Sequence, residues 1–234
     1  CMRVLYTFSG EEKETYMPRF TFFGYRYISL TATGDVEIER ITSIPVTSVK
    51  KEMELGRIET SDPSLNQFIS NVYWGQLSNY LNIPTDCPQR DERLGWTGDT
   101  QIFARTALYN SDAADFYRKW MRDLRNSQRE DGAYPDIAPY NNFWGYGTAA
   151  WGDAGVIVPW TVYEMTGDKT ILTENYESIS RYMHWLSTHQ EKVDTILYTH
   201  IGAGTATGDW LSYAPIESRY VSMAYYAYVT QLMD

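Results

Sequence analysis

At Ser61-Asp62-Pro63 the hydrophobic pattern of this 234-residue chain changes period, from alternation to steps of three and four. Side chains of a strand alternate across a sheet, whereas those of a helix return to one face every three or four residues, so the switch divides two kinds of structure. Residues 20 to 58 are dense in Thr, Val, Ile, Tyr and Phe, and a Thr33-Gly34-Asp35 turn precedes the alternating Val36-Glu37-Ile38-Glu39. This pattern predicts strands. The run FTFFGYRYISL is apolar on both alternating faces, which places it between two layers, as in a β-sandwich. Beyond the switch, Asp62 can cap a helix and Pro63 fits its first turn. Leu65, Phe68, Ile69, Val72, Tyr73, Leu77, Tyr80 and Leu81 then form one apolar stripe that stops before Pro84. Further helices are expected over 99 to 109, 112 to 128 (Phe116, Tyr117, Trp120, Met121, Leu124), 149 to 165, 174 to 189 and 217 to 233. The expected organisation is the end of a β-sandwich over 1–60 and a mostly helical unit of about six helices over 61–234. No internal repeat supports a solenoid.

A net charge of −10 and a pI near 4.8 argue against polyanionic ligands, because phosphate backbones are drawn to Lys- and Arg-rich surfaces; nucleic acid is not an expected partner. No apolar run reaches the roughly 18 residues of a membrane span. The opening residues CMRVLYTFSGEEK lack the apolar core of a signal peptide. Cys1 and Cys87 provide neither a disulfide framework nor a metal-ligand cluster, so neither a metal nor any other cofactor is expected. The 20 Tyr and 8 Trp exceed what a core usually needs. Most will serve packing, and the surplus suits sugar faces.

Between the first two helices, TDCPQRDERLGWTGD (85–99) gathers five charged residues besides Asp86, one Trp and two glycines. Charged loops are usually just solvated. Here Pro88 and the glycines imply a fixed backbone, and fixed loops with converging polar groups are where binding sites concentrate.

The segment resembles the signature of bacterial α-L-rhamnosidases, glycoside hydrolase family 78, and the resemblance extends through FFGYRYISL, YWGQLSNY, AAWGDAG and GDWL over most of the chain. It implies a β-sandwich followed by an (α/α)₆ toroid, of which this chain carries about six of twelve helices. It also implies an inverting exo-acting enzyme that releases terminal α-L-rhamnose from glycosides or polysaccharides. Carried over residue by residue, Glu92 falls on the general acid. Asp86, Arg90 and Asp99 fall on positions that hold rhamnose hydroxyls, and Trp96, Trp151 and Trp210 on rings that face the sugar. Rhamnose is a 6-deoxy sugar, and burying its methyl against an aromatic wall is worth on the order of 1 kcal/mol. Flanking Arg90 and Arg93 favour the charged form of Glu92, whereas an acid has to hold its proton, so desolvation by the sugar and Trp96 has to outweigh them.

Plainer alternatives accompany these roles: a loop salt bridge for Arg90, a helix cap for Asp99, ordinary core for Trp151 and Trp210, and turn shaping for Asp153 and Asp209. Inversion also needs a second carboxylate, roughly 6.5 to 9.5 Å from the first. No segment up to Asp234 matches the family's base, so the isolated chain is expected to be inactive, unlike its parent. The stripe over 217 to 233 runs to the last residue without a cap. Uncovered seams on the 63 to 81 and 217 to 233 helices predict self-association. The periplasm or exterior is favoured over the cytoplasm. Two other functions stay open: a different inverting hydrolase on the same toroid, trehalase-, glucoamylase- or glucuronyl hydrolase-like, and a non-catalytic sugar-binding module.

Overall fold

The computed structural model describes residues 3–193, 196–199, 209–214 and 216–234. Six α-helices form the body: α1 (Pro63–Asn79), α2 (Thr97–Asn110), α3 (Ala114–Asn126), α4 (Ala154–Thr166), α5 (Thr170–Thr188) and α6 (Ser218–Met233). A short antiparallel hairpin, β1 (Gln190–Val193) with β2 (Ile196–Thr199), lies between α5 and α6 and was not foreseen from the sequence. No described helix is long and apolar enough to cross a membrane.

The hub is α4, which touches α2, α3, α5 and α6. Its sequence AGVIVPWTVYEMT is apolar on nearly every side, and such a helix is stable only when surrounded. Ala154 to Val158 and Val162 are accordingly buried. Gly155 lets the Tyr134 ring approach, since a Cβ there would lie 2.1 Å from the ring. Gly167, at φ 74°, ends the helix in the left-handed conformation that a side chain would disfavour, and its N–H bonds the Tyr163 carbonyl at 2.7 Å. Against α4 packs α3, whose Phe116, Tyr117, Trp120, Met121 and Leu124 are all buried, the stripe that the sequence predicts.

Three expectations are corrected. First, residues 20 to 58 carry no strand ladder among the described residues; their sole pairing is an isolated bridge from Glu54 to Ser111. Tyr25, Tyr27, Ile28, Leu30, Ile38 and Ile41 are exposed in this chain. Alternation records a capacity to pair, but a strand forms only where a neighbouring backbone takes up its hydrogen bonds. The bend at Gly34 is present, with φ 97°. Second, α4 begins at Ala154 rather than 149, because Ala150 adopts a left-handed φ of 73° and residues 148–153 form a turn. Third, the α1 stripe is covered only toward its C-terminal end: Leu65 and Phe68 are exposed, Ile69, Val72, Tyr73, Leu77 and Leu81 half-buried and Tyr80 buried, and within the helix itself Gln76 is the one buried residue. Gln76 is fully bonded, donating to Ser111 Oγ at 2.9 Å and Ala107 O at 3.3 Å and accepting from Asn110 at 2.9 Å, which pins α1 to the end of α2. The expected cap is present, with Asp62 Oδ1 accepting from the Ser64 N–H at 2.8 Å and the Leu65 N–H at 3.4 Å.

The 148–153 turn rests on a buried carboxylate. Asp153 is 2% exposed; it accepts the Ala150 N–H at 2.8 Å and the Tyr182 hydroxyl at 3.0 Å. Burial pushes its pKa up to about 6, only partly countered by these two donors. A carboxyl raised in the folded state holds its proton there while the unfolded chain has lost it, so its contribution to stability is fullest below about pH 4 and declines as pH rises through about 6. A shift of this size corresponds to about 3 kcal/mol. The difference in unfolding free energy between wild type and Asp153→Asn is therefore expected to change across pH 4 to 7, with the variant losing the decline. Parallel denaturation profiles for the two proteins would show that Asp153 does not titrate in this window.

Candidate active site

The loop between α1 and α2 is folded upon itself by Asp86. Its N–H donates to the Leu94 carbonyl at 3.1 Å, and its Oδ1 accepts the Leu94 N–H at 3.1 Å, so residues 86–94 close into a ring. Arg93 takes a left-handed φ of 44° to complete the turn. Inside the ring, Arg90 bridges two carboxylates. Its Nη2 lies 3.1 Å from Asp86 Oδ2 and its Nε 2.9 Å from Glu92 Oε2. The other oxygen of Glu92, Oε1, accepts the indole N–H of Trp96 at 2.8 Å. Glu92 thus has a guanidinium on one side and an indole on the other.

Arg93 does not join this group. Its guanidinium donates to the Phe22 carbonyl at 3.2 Å, lies 4.9 Å from the Phe22 ring centroid, and is 3.6 Å from Asp91. The charge beside Glu92 expected from both arginines comes from Arg90, because the left-handed turn at Arg93 carries its side chain toward the N-terminal segment. That segment also touches the loop at Gly24, where a Cβ would lie 2.6 Å from the Pro88 carbonyl oxygen.

A second segment fixes the end of the loop. Thr97 donates its N–H at 3.0 Å and its hydroxyl at 2.9 Å to the Asp136 carbonyl, and the Ala138 N–H donates to the Gly95 carbonyl at 2.9 Å. On its other edge the same segment pairs with 145–147: the Asp136 N–H donates to Gly145 O at 3.0 Å and the Gly147 N–H to Tyr134 O at 2.8 Å. Residues 134–138 therefore hold the acid loop and the 139–147 loop side by side. Gly95 is required for this approach, since a Cβ would stand 2.1 Å from the Ala138 carbonyl oxygen.

Trp96 immediately precedes α2, and Asp99 occupies its first turn without capping it. The cap expected as the plainer role of Asp99 is not made. Asp99 is exposed to solvent, and partial desolvation by the surrounding protein, reinforced by the nearby charges of Asp86 and Glu92, raises its pKa. Trp151 comes from the 148–153 turn and lies against Gly98, where an added Cβ would be 2.9 Å from the indole. Asp86, Arg90, Glu92 and Trp96 are thus joined by two hydrogen bonds and the Arg90–Glu92 ion pair, and Asp99 and Trp151 border them. Trp210 is exposed, with residues 200–208 outside the described ones. Asp209 is likewise exposed. Asp153 shapes the 148–153 turn, as its plainer role anticipates.

Asp86, Cys87 and Glu92 bring three potential ligand atoms within 4.8 Å of one another. Arg90 already neutralises both carboxylates, and burial together with Asp86 raises the pKa of the Cys87 thiol, against the thiolate a metal would need. This donor set suits a hydrogen-bonded sugar site better than a cation.

The sequence reading missed the aromatic residues of the 139–147 loop. Trp144 packs on Trp96, with ring centroids 4.8 Å apart, and Phe143 meets Trp144 edge-on at 5.1 Å. The visible signal was the density of rings in YNNFWGY, flanked by Asn and Gly turn residues. Nothing in the linear order ties that run to Glu92.

Known proteins resemble the chain along nearly its whole length. The family model for the bacterial alpha-L-rhamnosidase 6 hairpin glycosidase domain matches residues 53–234, and that for the bacterial alpha-L-rhamnosidase concanavalin-like domain matches residues 2–47. An alpha-L-rhamnosidase of Streptomyces avermitilis is 40% identical over 97% of this chain, and one of Formosa agariphila is 37% identical over 86%. The chain spans about a fifth of the length of these relatives, 21% of each. The crystal structure of the Streptomyces avermitilis alpha-L-rhamnosidase complexed with L-rhamnose superposes with a TM-score of 0.73 at 39% identity, covering 80% of this chain and 17% of that one. The helices described above are therefore part of an α/α toroid, as the sequence resemblance implied. With its helical body matched from end to end and its loops built around a carboxylate, an arginine and two indoles, the chain belongs to the bacterial α-L-rhamnosidases.

Proposed function

We propose that this chain carries the acid side of the active site of an inverting, exo-acting α-L-rhamnosidase, with Glu92 as general acid and a terminal α-L-rhamnosyl group as substrate. The observation that carries the reading is the double anchoring of Glu92, between Arg90 at Oε2 and Trp96 at Oε1. A protonated carboxyl donates from one oxygen. If Oε1 keeps the indole bond, Oε2 becomes the proton carrier and turns from Arg90 toward the glycosidic oxygen. Arg90 is then free to donate to a sugar hydroxyl while remaining paired with Asp86. Asp86 and Asp99 supply acceptors for the remaining hydroxyls, and Trp96 and Trp151 offer apolar faces to the ring and its methyl group. The likeness to a rhamnose-bound relative supports this choice of sugar. We place Trp210 at the outer edge of the same pocket on the sequence resemblance alone.

Water attack from the opposite face needs a second carboxylate roughly 6.5 to 9.5 Å from the acid. We assign that base to the other helices of the toroid. Segment 1–60 is proposed to belong to the preceding sandwich domain, in keeping with the concanavalin-like match over residues 2–47.

In the full-length protein, Glu92→Gln is expected to slow hydrolysis of rhamnosides with poor leaving groups by about 10² or more, the scale of a lost general acid. Rhamnose affinity should change little. Steady-state kinetics with undiminished turnover on a natural rhamnoside would remove Glu92 from the mechanism.

Asp86 is nearly enclosed, with 5% of its side chain exposed, and its loss strands the Leu94 N–H and leaves Arg90 paired with Glu92 alone. Asp86→Ala is expected to weaken rhamnose binding by about 1 to 3 kcal/mol. Arg90→Ala and Asp99→Ala should weaken it too. Calorimetric titration giving wild-type affinity in all three variants would return these residues to the status of a solvated loop.

A further inference from the structure

Between the stretches of chain that carry Trp96 and Trp151 lies a buried carboxylate that the reading of Glu92 leaves without a task. Asp136 is 8% exposed. Its Oδ1 accepts the Thr148 N–H at 3.3 Å and its Oδ2 the Thr148 hydroxyl at 2.7 Å. Among the described residues these two donors are the groups that favour its charge, and burial outweighs them and pushes its pKa up. A carboxyl taken out of water without a cation is destabilising where an apolar side chain would fill the same space, so the use of its two oxygens is geometric.

That use follows from what each part of the residue holds. The Asp136 carbonyl accepts both the N–H and the hydroxyl of Thr97, the residue after Trp96. The side chain holds Thr148, whose own carbonyl accepts the Trp151 N–H at 3.0 Å and the Gly152 N–H at 2.9 Å. One residue therefore links the two indoles, through its main chain on the Trp96 side and through its carboxylate on the Trp151 side. Thr97 and Thr148 are both buried, so water does not compete for these bonds. The Trp151 ring lies against Gly98, next to Thr97, and a small shift of the 148–153 turn would slide it along the start of α2. Asp153 and Tyr182 hold the far end of that turn; the Asp136 carboxylate holds the near end. We propose that Asp136 is a positioning residue of the rhamnose site, whose carboxylate clamps Thr148 and thereby sets the face that Trp151 presents to the sugar. Asp136 touches no reacting atom and acts through that indole. The inference rests on the reading of Trp151 as a wall of the sugar pocket.

The test uses the full-length protein, with rhamnose affinity from calorimetry, steady-state kinetics on an aryl α-L-rhamnoside, and amide exchange over 148–153 followed by mass spectrometry. Asp136→Ala is expected to weaken rhamnose binding and raise KM about tenfold while changing kcat less than about threefold. Exchange at Trp151 and Gly152 should quicken while the interior of α4 keeps its protection. Thr148→Val removes the hydroxyl alone and should produce the same changes more weakly. Asp136→Asn keeps an acceptor for the Thr148 N–H and can donate to its hydroxyl, so it should restore most of the affinity. A residue that acts through Trp151 has nothing to add once that ring is gone: in a Trp151→Ala background, Asp136→Ala should change affinity less than about twofold. Additive losses in that cycle would reduce Asp136 to general support of the fold and overturn the proposal. Wild-type affinity in both Asp136→Ala and Thr148→Val, with binding weakened in Trp151→Ala, would overturn it as well. Wild-type affinity in Trp151→Ala itself would instead sink the reading of that ring as a sugar wall; quickened exchange at Trp151 in Asp136→Ala would then still establish the clamp, and unchanged exchange would remove it too.

Discussion

The paired backbone between Gly95–Thr97 and Asp136–Ala138 is the contact on which the site depends. Three hydrogen bonds join the last residues of the acid loop to a segment that arrives some forty residues later, and that segment's other edge binds 145–147. It sets the backbone on either side of Trp96 and places the 139–147 loop beside that indole. Hydrogen bonds of this kind contribute modestly to stability, about 1 kcal/mol each, yet they constrain geometry strongly because a buried carbonyl left unpaired is costly. Thr97 is fully buried, and its hydroxyl adds a second bond to the same carbonyl, so the site's alignment is set by main chain rather than by long flexible side chains.

Much of the helical fold was legible in the linear pattern, for reasons specific to each element. The α3 stripe could be read because five large apolar residues recur at helical spacing against a charged opposite face. The start of α1 could be read because Asp62-Pro63 has a single good use at a helix start. By contrast, α4 offers no polar face, so the pattern marks it as buried but not where it begins; that depends on the left-handed Ala150 and on a tertiary bond to Tyr182. The strands expected over 20 to 58 fail for another reason. Pairing is a property of two segments, and alternation in one of them cannot supply the other.

The site divides in the same way. Asp86, Arg90, Glu92, Trp96 and Asp99 lie within fifteen residues, so their proximity follows from the loop itself. Trp144 enters through a long-range pairing that leaves no mark on the sequence near Glu92. Arg93 was expected beside Glu92 because it is its chain neighbour, and a left-handed turn sends it elsewhere. Short-range inference thus brought together the polar groups of one loop but not the rings around them, since these carboxylates meet through local geometry whereas rings are assembled from distant loops.

The seat of Gly24 against Pro88 has an evolutionary corollary. The acid loop and the N-terminal segment meet so closely that no side chain fits at position 24, and Arg93 grips Phe22 beside it. Positions 22, 24, 88 and 93 are therefore constrained as one unit. Across divergent sequences they should drift together or not at all, and a graft of the acid loop onto a foreign scaffold would have to carry its opposing segment with it.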